Sequence, residues 1–212
     1  MGDSEHATPP EHAPQHYELT PELDFLHTII SGGQTGADQA GLEAAMHMGL
    51  KTGGIAPPRF ITENGPNRLL QTRYKLSALT ASSSGRIGYD LVKRTKLNAT
   101  NSDGTVVFRF GPSCGTDKTI GFCMTGRWTD EYHCDTPQHR PVCIIRDFSY
   151  EYKIAFFHWL IKNKIRTLNV AGHRLSNAPV VDFQNRVRYF LVSVLRGDVA
   201  RLALTEQEDC SC

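Results

Sequence analysis

The sequence predicts a three-layer, doubly wound α/β domain built on a mostly parallel sheet. Short β-rich runs alternate with helical patterns from Phe25 to Leu195, the connections between them are brief, and glycines gather where strands pass into helices. Strands that alternate with helices in this way run parallel, and right-handed crossovers then cover both faces of the sheet.

Each element has its own signal. Residues 25–30 form an apolar, β-branched run that ends at Ser31-Gly32-Gly33, a strand entering a turn. Residues 38–48 are rich in Ala, Leu and Met and stop at Gly49, as a helix does. A brief extended piece at 52–56 is ended by Pro57-Pro58, and 60–73 reads as loop, with Asn64-Gly65-Pro66 as its turn. Residues 74–79 alternate apolar and polar, which suits a half-exposed strand. The stretch 85–101 is a polar-faced helix whose inner stripe is Ile87, Leu91, Val92 and Leu97. Residues 105–108 are a buried strand, 116–124 a glycine-led helix, 142–145 a strand and 152–163 an amphipathic helix. The last strand is 167–171 and the last long helix 180–195, with Val187, Phe190, Leu191 and Val194 on one side.

Composition narrows the function. Lys and Arg total 23 against 22 Asp and Glu, a formal net charge of +1, so nucleic-acid binding through a strongly basic surface is not expected. Hydrophobic residues at 40% and charged residues at 21% are ordinary globular usage, which supports a packed core. No apolar run approaches the roughly 18–20 residues of a membrane span, and the opening residues lack the apolar stretch of a secretory signal. A cytoplasmic protein without membrane partners is expected. Residues 1–22, with Pro, His and Glu and almost no aliphatics, read as a flexible arm. Residues 23–200 read as one domain carrying a polar insertion at 126–140, and 201–212 as a loose tail.

The six cysteines, Cys114, Cys123, Cys134, Cys143, Cys210 and Cys212, are scattered and read as reduced thiols. His133, Cys134, His139 and Cys143 offer zinc-binding atoms, but their spacing matches no standard finger and Cys143 falls in a strand, so no metal site is expected. Neither a G-x-S-x-G elbow nor an H-E-x-x-H pair is present.

Two glycine-rich junctions carry the candidate chemistry. Gly32, Gly33, Gln34, Thr35, Gly36 and Asp38 follow the first strand, while Ser113, Cys114, Gly115 and Thr116 follow the strand at 105–108. At such a junction the first turn of the helix offers unpaired N–H groups, and its dipole favours a phosphate or another oxyanion. Two junctions on one parallel sheet converge on the crevice at the carboxyl ends of its strands. Arg174, after the last strand, is placed to clamp an oxyanion with its planar fork; Lys118, early in the second helix, is within reach of a bound anion but reads as a solvated surface lysine. His173 reads as either a base or a plain loop residue. On this reading Gly33→Val or Gly36→Val blocks the approach of a ligand to the backbone without harming the fold.

The run Ser31-Gly32-Gly33-Gln34-Thr35-Gly36-Ala37-Asp38 resembles the opening motif of the putative molybdenum carrier family, a branch of the SLOG superfamily of Rossmann-like nucleotide-ligand binders. Gly53-Gly54, the stretch from Arg94-Thr95 through Asn98 to Ser102-Asp103-Gly104-Thr105, and Arg166 to Gly172 followed by Ala178-Pro179 are similar to its further motifs, in collinear order. The resemblance implies one Rossmann-like domain holding a phosphate-bearing pterin or nucleotide-like ligand, with molybdenum cofactor (molybdopterin) as the namesake. It also implies a homodimer or homotetramer and a molybdoenzyme as acceptor. Gly54 and Asp103 join the candidate binding residues on these grounds. Related phosphoribohydrolases of the superfamily carry Pro-Gly-Gly-x-Gly-Thr-x-x-Glu, but here the position of the catalytic glutamate is Thr119. A binding or carrier role is therefore expected, and cleavage of an N-glycosidic bond in a nucleoside monophosphate, or nucleotide-derivative sensing, is the alternative.

Overall fold

A computed structural model of the protein describes residues 17–81, 87–125 and 139–199. Its elements run β1 (Thr28–Ile30), α1 (Ala37–His47), β2 (Lys51–Gly53), β3 (Ile55–Ala56), β4 (Ile61–Thr62), β5 (Gly65–Pro66), α2 (Leu69–Thr72), β6 (Ser77–Ala78), α3 (Ile87–Thr100), β7 (Gly104–Phe108), α4 (Cys114–Thr125), β8 (Val142–Ile145), α5 (Tyr150–Asn163), β9 (Thr167–Gly172) and α6 (Phe183–Leu195). Five strands form the central sheet in the order β2-β1-β9-β7-β8, and every pairing in it is parallel.

The faces follow from handedness. Along that order the chain moves one way from β1 to β2 and from β8 to β9, and the other way from β2 to β7 and from β7 to β8. Right-handed crossovers then put α1 and α5 on one face and α3 and α4 on the other. The packing agrees, since α6 rests on both α1 and α5, while α3 packs on α4. Counted from β9 as the first strand, the order reads 3-2-1-4-5, the doubly wound order with its first strand moved to the end of the chain. The switch point lies between β9 and β7, whose following helices leave toward opposite faces.

β7 is buried along its whole length, as its apolar run predicts. On α6 the stripe Phe183, Val187, Phe190, Leu191, Val194 and Leu195 is fully covered. Each such side chain contributes about 1.5–3 kcal/mol.

The stretch 52–56 departs from its single extended reading. Gly54 at φ +118° turns the chain, so β2 stays with the main sheet and β3 leaves to pair with β6. Residues 60–73 are not plain loop. They hold the β4–β5 hairpin and α2, and a second small core of Leu42, Ala56, Leu70, Tyr74 and Leu76 closes under them. Residues 74–79 pair only at Ser77–Ala78, because Lys75 at φ +58° breaks the extended conformation. Within the expected arm, residues 17–22 are tied down: Tyr17 N–H donates to His47 O, Thr20 N–H donates to Leu195 O, and Thr20 is buried. The readings of 1–16, 82–86, 126–138 and 200–212 lie outside the described residues. No helix of the described residues is long and apolar enough to cross a membrane.

Candidate functional site

A cavity of about 420 Å³ opens at the switch point, within the usual size range of small-molecule sites. The loop after β1, the inner face of α3, the first turns of α4, the end of β9 and the loop at 174–177 all line it. The two glycine junctions therefore meet on one crevice. Of the residues expected there, Gly32, Gln34, Asp38, Ser113, Cys114, Gly115, Thr116 and Arg174 line it. The Leu91 and Val92 part of the predicted α3 stripe faces the crevice as well.

Gly33, Thr35, Gly36, Gly54 and Asp103 do not line the cavity, and each has a partner within the protein. A Cβ on Gly33 would press on Leu70 and Leu76 at 2.9 Å, and one on Gly36 would stand 2.4 Å from His173 O. Both glycines have positive φ, so valine there damages the fold itself, in place of the ligand-only effect expected from the sequence. Thr35 donates its hydroxyl to Glu63 and accepts from Leu175 N–H at 3.4 Å. A Cβ on Gly54 would meet Ser31 O at 2.2 Å. Asp103 precedes β7 and so sits at the opposite end of the sheet, where its carboxylate accepts from the Arg166 and Thr167 N–H groups at 3.0 and 2.8 Å.

Four amides of the first junction are already satisfied. Gly33 N–H donates to Ser31 Oγ at 3.2 Å, Gln34 N–H to Asp38 Oδ2 at 3.2 Å, Gly36 N–H to Gln184 Oε1 at 2.9 Å and Ala37 N–H to His173 O at 3.1 Å. Asp38 thus supplies the anion from within. Arg94 Nη1 stands 3.1 Å from Asp38 Oδ2, and both side chains are nearly buried. Burial raises the Asp38 carboxyl against the pull of Arg94 and the Gln34 N–H. The guanidinium lies over Gly32, where a Cβ would come within 1.4 Å of it, so this glycine makes room for arginine.

The second junction is different. Ser113 caps α4: its Oγ accepts from Thr116 N–H at 3.4 Å and from the Thr116 hydroxyl at 2.9 Å. The Cys114 and Gly115 N–H groups have no partner among the described residues and lie at the cavity wall. Arg174 and Lys118 also line the cavity, and neither has an ion pair among the described residues.

The sequence reading missed Arg94, Asn98 and Asn169 as site residues. Arg94 and Asn98 are four apart, one turn of α3, and that spacing on a helix facing the glycine loop was the available signal. Asn98 fastens β3 by accepting from Ile55 N–H at 2.8 Å and donating to Ile55 O at 2.9 Å. Asn169, buried in β9, donates to Thr105 Oγ1 at 3.2 Å. His173 is buried and its Nε2 accepts from Phe110 N–H at 3.1 Å, which fixes the neutral form. Burial lowers its pKa.

Among the described residues no group of three or more His, Cys, Asp or Glu could hold a metal ion. Cys143 sits in β8, where burial pushes its thiol up to about 12, and Cys123 is fully buried. Cys114 is exposed at the cavity mouth. Iodoacetamide is expected to label Cys114 in the native protein well before Cys123 and Cys143, as read by peptide mass spectrometry, and equal labelling of all three would contradict this placement.

A model of the circularly permutated YpsA SLOG family matches residues 29–195. The chain belongs to that family. In the sheet of this chain the strand that opens the doubly wound order is the last in sequence. The crystal structure of a putative molybdenum carrier protein from Syntrophus aciditrophicus SB, at 1.45 Å resolution, is similar to this chain. The two share 26% identity over 80% of this chain and 94% of that chain, with a TM-score of 0.63. No curated protein matches the chain.

Proposed function

We propose that the crevice binds a small molecule with a terminal phosphate and a flat heterocycle, and that the protein carries this ligand. The observation behind this reading is the convergence on one cavity of Lys118, Arg174 and the Cys114 and Gly115 N–H groups, which have no partner among the described residues. Arg94 and Asp38 cancel, so Arg174 and Lys118 remain as a double positive charge that suits a phosphate monoester dianion. Leu91 and Val92 offer an apolar wall for a ring, and Gln34 and Asn169 offer polar groups beside it.

Molybdenum cofactor is the specific form we propose, on the strength of the structural neighbour's name. The residues fit it in part. Arg174, Lys118 and the α4 amides would take its phosphate, and the α3 wall its pterin. When bound, that group would supply a metal held on its own dithiolene sulfurs. Thr119 lines the crevice at the position of the hydrolase glutamate and donates its hydroxyl to Gly115 O at 3.1 Å. This supports a binding role over hydrolysis.

Arg174→Ala is expected to weaken the binding of inorganic phosphate about 10- to 100-fold, the value of a charged hydrogen bond, with the thermal midpoint unchanged. Isothermal titration calorimetry checks this, and unchanged affinity would contradict the reading. Mass spectrometry of whatever co-purifies then identifies the ring.

A further inference from the structure

We propose that Glu63, which does not line the cavity, is the positioning residue of the anion site: from the tip of the β4–β5 hairpin it holds the loop that carries Arg174. The proposal rests on the reading of Arg174 as a phosphate ligand.

The geometry is a three-point clasp. The Glu63 carboxylate accepts from the hydroxyls of Thr35 and Ser176, and from Ser176 N–H at 3.2 Å. Thr35 Oγ1, itself bound to Glu63, accepts from Leu175 N–H at 3.4 Å. Between residues 174 and 178, Asn177 and Ala178 donate their N–H groups back into the loop, to Arg174 O and Leu175 O. The amides that bond outside it are those of Leu175 and Ser176, and both end on Thr35 or Glu63. The path of the chain immediately after Arg174 is therefore set by a carboxylate about 110 residues away in sequence, as the separation of 113 between Glu63 and Ser176 records.

The hairpin is itself a firm base. Gln34 Nε2 donates to Ile61 O at 2.9 Å, the Thr62 hydroxyl donates to Gly65 O at 2.8 Å, and the second core closes beneath. Arg174 feels both Glu63 and Asp38 electrostatically, yet forms an ion pair with neither within 4 Å. Its guanidinium is thus aimed by the loop and left available to a ligand. Burial raises the Glu63 carboxyl, but the Ser176 and Thr35 donors and the Arg174 charge outweigh this and hold it below the usual range, so it stays ionised.

A double-mutant cycle tests the proposal, with inorganic phosphate as the probe in calorimetry and the thermal midpoint recorded for each variant. Glu63→Ala is expected to weaken phosphate binding about tenfold, the value of one well-placed charged contact. Glu63→Gln is expected to stay within about threefold, because its amide still bonds the Thr35 and Ser176 hydroxyls once they turn. In an Arg174→Ala background, Glu63→Ala is expected to add nothing. If Glu63→Ala does not fold, Thr35→Val removes one donor of the clasp and is expected to show the same dependence on Arg174. Full phosphate affinity in Glu63→Ala, or an equal loss in the Arg174→Ala background, overturns the positioning role while leaving Arg174 as a ligand. An Arg174→Ala protein that binds phosphate like the wild type overturns both readings.

Discussion

Arg94→Ala is expected to destabilise the fold by about 3–5 kcal/mol, the usual effect of removing one partner from a buried ion pair. Asp38 is buried, and Arg94 Nη1 at 3.1 Å and Gln34 N–H at 3.2 Å are its neutralising partners. Without the guanidinium, desolvation raises the Asp38 carboxyl further above its unfolded value. A carboxyl raised in the folded state favours folding at pH below its unfolded pKa, and this stability is lost as pH rises through the folded pKa. The deficit of Arg94→Ala should therefore be largest near neutral pH and shrink on acidification. Adding Asp38→Asn should recover part of it at neutral pH, since a neutral amide costs less to bury. Urea denaturation of the single and double variants at several pH values reads these outcomes. A loss under about 1 kcal/mol at neutral pH would mean that Arg94 is not the partner that makes the buried carboxylate tolerable.

Gly54→Ala should be just as damaging, for a reason of backbone geometry alone. The residue sits at φ +118°, and its Cβ would stand 2.2 Å from Ser31 O and 2.8 Å from Ser31 N. Those atoms are main chain and cannot swing aside, so strain and overlap together should cost about 4 kcal/mol or more. Gly115→Ala is the contrast: nothing among the described residues lies within 4 Å of its added methyl and its φ is not positive. That change is expected to be neutral or stabilising by about 0.5–1 kcal/mol, as alanine is for glycine in a helix. Thermal unfolding of the pair checks the difference, and a Gly54→Ala protein that melts with the wild type would place the chain around β2 and β3 differently.

Much of the fold was legible because burial leaves a local trace. The run Thr105 to Phe108 has to be a covered strand, and the glycines after it and after Ile30 locate the carboxyl edge of a parallel sheet. The same glycines were less legible in role. Gly33, Gly36 and Gly54 meet Leu70, His173 and Ser31, partners that lie close only once the chain is folded. The Asp38–Arg94 pair spans 56 residues, and no pattern inside either segment announces it. Asp103 looked like a site residue beside a strand, but being at the strand's start it serves the far end of the sheet. The small β3–β6 and β4–β5 pairs are two residues long on each side, too short for any periodicity to show.

A single measurement decides which junction takes the anion. Inorganic phosphate titrated into ¹⁵N-labelled protein, followed by amide chemical shifts, is expected to move Cys114, Gly115 and the residues around Arg174 and Lys118. The amides of Gly33, Gln34, Gly36 and Ala37, already bonded within the protein, are expected to stay in place. Shifts confined to those four, or no saturable shift at Cys114 and Gly115, would contradict the assignment of the crevice.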